Sequence, residues 1–379
     1  MTKKLTLRTA CLALSALLPT ACASDVGTDD PTNTSTFGSV ASSQRGLATV
    51  DTTGLVHVSE LVKQVGSDNP LGDRAAAENY AALARLVASG AHERLVLGVY
   101  AVQPVASDPL AAVAARAKLL GLRGEAVKRG RYAVVSDPSG LELRLNADSG
   151  SEFMQDLSLF HASPGEAKVP ENALFVGAAW KYAQQALSSD VVALPNYVYK
   201  IRHYQNGEAP EAQSGATVST YQVAVALGTA IDDLPVIGAG GKVAVHFAPN
   251  GKVIGYEAGL RAIAKLVDVI PGRELVAPDA ARSALEKELS GRGVDLARYR
   301  LTRAEFGYAR LGRDSTQSVV APQYGYVYEP IEGDVSKKLV ELLPAFTSAK
   351  PLALVQQDMA LENKRKAIRM GGAGTETER

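Results

Sequence analysis

The chain has 379 residues, 46% of them apolar, and 40 basic residues balance 40 acidic ones. That length suits two domains of ordinary size, and the charge balance leaves no basic surplus to pair with phosphates, which excludes nucleic acid as a partner. The two cysteines, Cys11 and Cys22, both lie near the N-terminus, so the remainder folds without a disulfide or a thiolate metal site.

Taken in chain order, the first element is an export signal over residues 1–22. Lys3, Lys4 and Arg8 precede an apolar run from Thr9 to Leu18, and small residues follow through Ala21, Cys22 and Ala23. The run is shorter than the roughly 20 apolar residues that a membrane span needs. Leu18-Pro19-Thr20-Ala21-Cys22 resembles the lipobox of bacterial lipoproteins, in which the cysteine is acylated. The resemblance implies lipidation at Cys22 and a lipid anchor in a membrane; plain cleavage at the A-x-A-like Ala21-Cys22-Ala23 is the alternative. Ala23 and Ser24 lack the acidic residue that such families use for inner-membrane retention, so the implied address is the outer membrane of a bacterial cell envelope. A periplasmic or secreted protein is the alternative address.

Residues 23–50 are rich in Ser, Thr, Asp and Gly and read as a flexible tether. Residues 51–130 read as an N-terminal helical and strand region. Within it, Asp73 to Ala88 places Tyr80, Leu83, Leu86 and Val87 on one helical face. Leu95 to Val105 reads as a strand, and Ser107-Asp108-Pro109 opens a second helix that runs to about Leu120. From Tyr132 strands dominate. Leu141, Leu143 and Leu145 alternate with polar residues, and a hairpin returns after Gly150. A helix spans Pro170 to Leu187. Strands follow at Tyr197 to Ile201 and Val218 to Leu227. Lys242 to Phe247 and Val253 to Tyr256 flank Pro249-Asn250-Gly251, a hairpin signal. A further helix covers Ala277 to Leu289, and strands cover Arg300 to Leu311, Gln317 to Tyr328 and Leu339 to Phe346. Residues 351–379 read as a frayed C-terminal tail. The predicted fold class is α+β, with helices packed on antiparallel sheets. Hairpin, helix and strand recur twice, over units at 131–260 and 261–350.

Leu234-Pro-Val-Ile-Gly-Ala-Gly-Gly-Lys-Val-Ala-Val-His-Phe-Ala-Pro-Asn-Gly-Lys-Val-Ile-Gly255 resembles the signature stretch of PepSY-type extracytoplasmic domains. The stretches Ala277 to Tyr308 and Ala321 to Tyr328 resemble such domains as well. The resemblance implies two PepSY-like hairpin–helix–strand units and a binding or regulatory role toward an extracytoplasmic protein or peptide. It carries no catalytic residues.

Motifs for chemistry are sparse. His92-Glu93 lacks the second histidine of a zinc peptidase, and there is no G-x-S-x-G elbow and no P-loop. Gly238-Ala-Gly-Gly241 leads into a strand, where a turn explains it. Asp232-Asp233 reads as a solvated loop, and His246 as a surface or half-buried sheet residue. No catalytic residue, metal site or cofactor is therefore predicted. The candidate binding residues are Tyr324, Tyr326 and Tyr328, which share one strand face at period two, and Arg310, placed near a sheet edge where it holds a carboxylate. Sheet packing is the competing explanation of the tyrosines. The expected function is an envelope-anchored, non-catalytic module; a hydrolase with an unrecognised site and a structural spacer are the alternatives.

Overall fold

The computed structural model describes residues 56–57, 73–156, 169–186, 195–208, 217–232, 234–259, 261, 263–333 and 338–372. The signal, the tether and Cys22 lie outside them. Helices and sheets of mostly antiparallel strands give an α+β fold. The helices are α1 (Asp73–Ala88), α2 (Pro109–Leu119), α3 (Asn172–Ala186), α4 (Pro278–Gly291) and α5 (Ala349–Gly372). Local chemistry sets several of their ends. Asp108 caps α2 by accepting from the amides of Leu110 and Ala111, each at 3.0 Å, and Pro109 suits the first helical turn. Pro278 opens α4 in the same way.

The larger sheet is organised by one long strand, β8 (Thr217–Ile231). On one side it pairs with β7 (Pro195–Glu208). On the other it pairs in turn with β9 (Leu234–Ile237) and β10 (Lys242–Phe247). There the sheet branches. From β9 it continues through β13 (Tyr299–Ala309) and β15 (Pro322–Pro330) to β16 (Leu339–Pro344). From β10 it continues through β11 (Val253–Ala258) and β6 (Glu152–Asp156) to β5 (Leu141–Asn146), β4 (Tyr132–Ser136) and β3 (Ala126–Arg129). A smaller sheet holds β1 (Val56–His57), β2 (Leu95–Val102), β12 (Ile263–Pro271) and β14 (Val319–Val320). Two described pairs, β1–β2 and β9–β13, are parallel, a feature absent from the antiparallel pattern read in the sequence.

The glycine run predicted as a turn makes the branch. Gly238 and Gly241 sit at φ +87° and +74°, a region that side chains disfavour. Gly240 passes so close to the next segment that a Cβ on it would lie 2.0 Å from the Leu311 carbonyl oxygen. The hairpin at Pro249 to Gly251 forms as read, with Ala248 N–H donating to Lys252 O at 2.8 Å.

Two apolar cores lie against the sheets. One gathers α2 and α3 on β4, β5, β8, β10 and β11 through residues such as Val113, Phe175, Val225, Val245 and Tyr256. The other gathers α1 and α4 on β2, β13 and β15 through Leu83, Leu97, Leu285, Phe306 and Tyr324. Residues 51–130 therefore do not stand apart. Their described part is divided, with α1 and β2 in the second core and α2 in the first.

The C-terminal tail needs correction. Through Gly372 it is the helix α5, not a frayed end. Val355, 2% exposed, enters the second core, and the buried Asp358 accepts from the amides of Ser318 and Val319 at 2.8 and 3.1 Å. Pro351, Val355 and Asp358 share one helical face, which polar neighbours on the other faces conceal in the sequence.

Candidate functional site

The three candidate tyrosines of β15 do not line a groove. Tyr324, Tyr326 and Tyr328 are 0%, 0% and 3% exposed. Their rings pack under α1, where Tyr80 meets Tyr324 and Tyr326 edge-on at 5.7 and 6.0 Å between centroids. Their hydroxyls donate to Val276 O at 2.6 Å, to Pro278 O at 3.2 Å and to Glu286 Oε1 at 3.2 Å, anchoring α4. Sheet packing explains the alternation. The side chains of Tyr197 and Tyr199 lie outside the described set.

Arg310 is also displaced from its expected place. It lies buried at the branch, 4% exposed, and its Nε has no hydrogen-bond partner. Burial, together with the neighbouring Arg261 charge, pulls its guanidinium down to about 10. Its backbone rather than its side chain has partners: the amide donates to Ile237 O at 3.0 Å and the carbonyl accepts from Gly240 N at 3.1 Å. Asp232 is no solvated loop residue. At φ +49° it turns β8 into β9, and its carboxylate accepts from the hydroxyls of Tyr100 and Tyr308.

The site that the fold does build is a hollow of about 600 Å³ on the face of β8 and β10 turned away from the first core. Val223, Val225 and Leu227 of β8 point into that core, so Ala224 and Ala226 point the other way. In β10, Val243, Val245 and Phe247 face the core, and Ala244 and His246 face the hollow. Strand register sets two rows across this floor. One runs Arg202, Ala224, His246, and the other Lys200, Ala226, Ala244, Glu257. Alanines at the centre of both rows leave the depth, and charged groups stand at the ends.

Glu257 is engaged by Arg313, with Nη1 to Oε2 at 2.8 Å. Lys200 and Arg202 are exposed and make no ion pair with a described residue. His246 is 9% exposed; its Nδ1 lies 2.5 Å from Gln222 Nε2, and its Nε2 has no hydrogen-bond partner, the nearest carboxylate oxygen of Glu257 being 4.0 Å away. Neither serine of the wall reaches this imidazole as a nucleophile would. Ser151 Oγ pairs with Ser149 Oγ at 3.0 Å, and Ser315 Oγ donates to Glu362.

Burial holds the His246 imidazole below its ordinary value, helped by Arg313 and opposed by Glu257. The consequence for stability has a definite sign. The unfolded chain takes up the proton near pH ~6.5, before the folded chain does. Stability is therefore fully present above that pH and falls as pH drops toward the lower folded value, by up to about 1.4 kcal/mol per pH unit. Urea unfolding of the wild type and of His246→Gln, compared at neutral and mildly acidic pH, should show a shallower acid loss in the variant. Equal losses would mean that His246 titrates alike in both states.

The sequence hid this site because its residues come from five strands, the 312–315 segment and the last helix, and its floor meets only through register. The usable signal was the run Ala224-Val225-Ala226-Leu227, in which small residues alternate with large ones. Among the described residues no three His, Cys, Asp or Glu are grouped to hold a metal ion, and no helix is long and apolar enough to cross a membrane.

No protein-family model matches the chain, and no curated protein matches it. Among solved structures it is similar to an uncharacterized protein from Eubacterium rectale ATCC 33656, 9% identical, with a TM-score of 0.42 over 66% of this chain and 84% of that one.

Proposed function

We propose that this protein is an envelope-anchored, non-catalytic binding module of PepSY-like design, which docks an extracytoplasmic protein or peptide in the hollow on β8 and β10. The observation that carries the reading is the floor of Ala224, Ala226 and Ala244, recessed between charged side chains on β7 and β11. Small residues at the centre of a sheet face give up packing there and leave room for an occupant. The edge beside the hollow supports the same reading: among the described residues β7 pairs with β8 alone, and a docked extended segment would pair along its other side. A hydrolase would need a nucleophile beside His246, and both wall serines are engaged elsewhere.

The test fills the hollow. Ala226→Trp places a large ring on the floor at a half-buried position. Signal-less wild type and variant, matched for thermal unfolding, are used as bait in envelope extract. The wild type should retain a partner that the variant loses. Identical retention by both, or turnover of a model ester or peptide by the wild type, overturns the proposal. Anchoring is a separate arm: Cys22→Ala should release the full chain from membranes, and unchanged membrane retention would defeat the lipid anchor.

A further inference from the structure

We propose that the occupant of the hollow is an acidic, extended peptide segment, one of whose carboxylates lies over Ala224 between Arg202 and His246. The inference rests on the docking reading above and gives it a chemistry. Arg202, Ala224 and His246 are register partners across three adjacent strands. Strands lie about 4.8 Å apart, so the backbones of Arg202 and His246 are roughly 10 Å apart with only a methyl group between them. That gap takes a carboxylate, which the exposed Arg202 guanidinium reaches from the β7 side.

The imidazole is built as a donor. The Gln222 amide nitrogen donates to Nδ1, which places the ring proton on Nε2. Nε2–H then has no acceptor, in a residue that lines the hollow and is 9% exposed. A buried donor left unmade is costly, and a ligand oxygen relieves it. Charge agrees. Glu257 is neutralised by Arg313, and Glu152, behind the wall, by Arg116. Asp314 is held by Arg131, and Glu362 accepts from Ser315. Lys200 and Arg202 remain as the cations without an ion pair to a described residue. They stand two residues apart on one face of β7. Acidic side chains at alternate positions of an extended partner meet that spacing, whereas a basic or neutral segment leaves both uncompensated.

The experiment measures fluorescence anisotropy of the signal-less protein with labelled peptides in which Thr alternates with Glu, Gln or Lys. The Glu peptide should bind at least about tenfold more tightly than the Gln peptide, as expected for one charge-assisted hydrogen bond. Arg202→Glu and Ala224→Leu should each lose that preference. Lys287→Glu, an equal charge reversal on exposed α4 outside the hollow, should keep it. Equal binding of the Glu and Gln peptides, both abolished by Ala224→Leu, overturns the acidic chemistry and leaves the docking site standing. No binding of any peptide overturns both. Equal losses from Arg202→Glu and Lys287→Glu overturn the placement at Arg202. Full competition by inorganic phosphate alone assigns a simple anion site and overturns the peptide.

Discussion

Tyr324→Ala should lower stability by about 4 kcal/mol, within the range for emptying an aromatic position in a core. The ring is fully buried and touches Tyr80, Phe306 and Tyr326 at 5.7, 5.6 and 6.3 Å between centroids. Its loss opens a cavity that the flanking strands β13 and β16 cannot close, because each is fixed to β15 by its own ladder. The hydroxyl is a smaller contribution. Tyr324→Phe keeps the ring and leaves Val276 O without its donor at 2.6 Å, a loss of about 1 kcal/mol. Urea unfolding separates the two variants. The measurement also decides between the two readings of the tyrosine row. If Tyr324→Ala left stability intact and removed ligand binding, the ring would belong to a recognition surface and the buried placement would be wrong.

The second large effect concerns the junction behind the hollow. Arg116 at the end of α2 grips Glu152 of β6 with Nε to Oε2 at 2.9 Å and Nη2 to Oε1 at 2.8 Å. It also donates to Ala186 O at the end of α3, and Tyr256 of β11 donates to the same carboxylate at 2.8 Å. Burial alone pulls the Arg116 guanidinium down; its bonds to Glu152 and Tyr256 outweigh that and leave it above its ordinary value. The two side chains are 17% and 15% exposed, so solvent screens the pair little. Arg116→Leu leaves a largely buried carboxylate with the Tyr256 hydroxyl but no cation and should lose about 3 kcal/mol. Adding Glu152→Leu removes the stranded charge, so the double variant should be more stable than Arg116→Leu, with a coupling energy of about 2 kcal/mol. Strictly additive losses in denaturant titrations would show that the two groups act separately and that the ion pair carries no weight.

Much of the fold could be read from local chemistry. Asp108 before Pro109 announces a helix start, and Pro249-Asn250-Gly251 announces a hairpin, because each acts within its own few residues. The periodicity of Tyr80, Leu83 and Val87 suffices for α1 because all three turn toward one core. Reading failed where a partner far along the chain decides. Tyrosine alternation in β15 fits an exposed platform or a buried layer equally well, and only α1 and α4 lying over it choose the second. Asp232 reads as a wet loop residue until Tyr100 and Tyr308 arrive from β2 and β13. The hollow escaped for the same reason. Nothing local to Arg202, Ala224 or His246 tells that three strands align them.

The branch at Gly238 to Gly241 has a consequence for how the molecule responds to load. One strand, β8, is shared: Ala224 in its middle floors the hollow, and Ile231 at its end sits in the second core. A guest pressing on the hollow therefore leans on a beam whose far end turns at Asp232, held by Tyr100 and Tyr308 of the second core. A shift of β8 at the recessed face enters the core under α1 and α4 through Ile231.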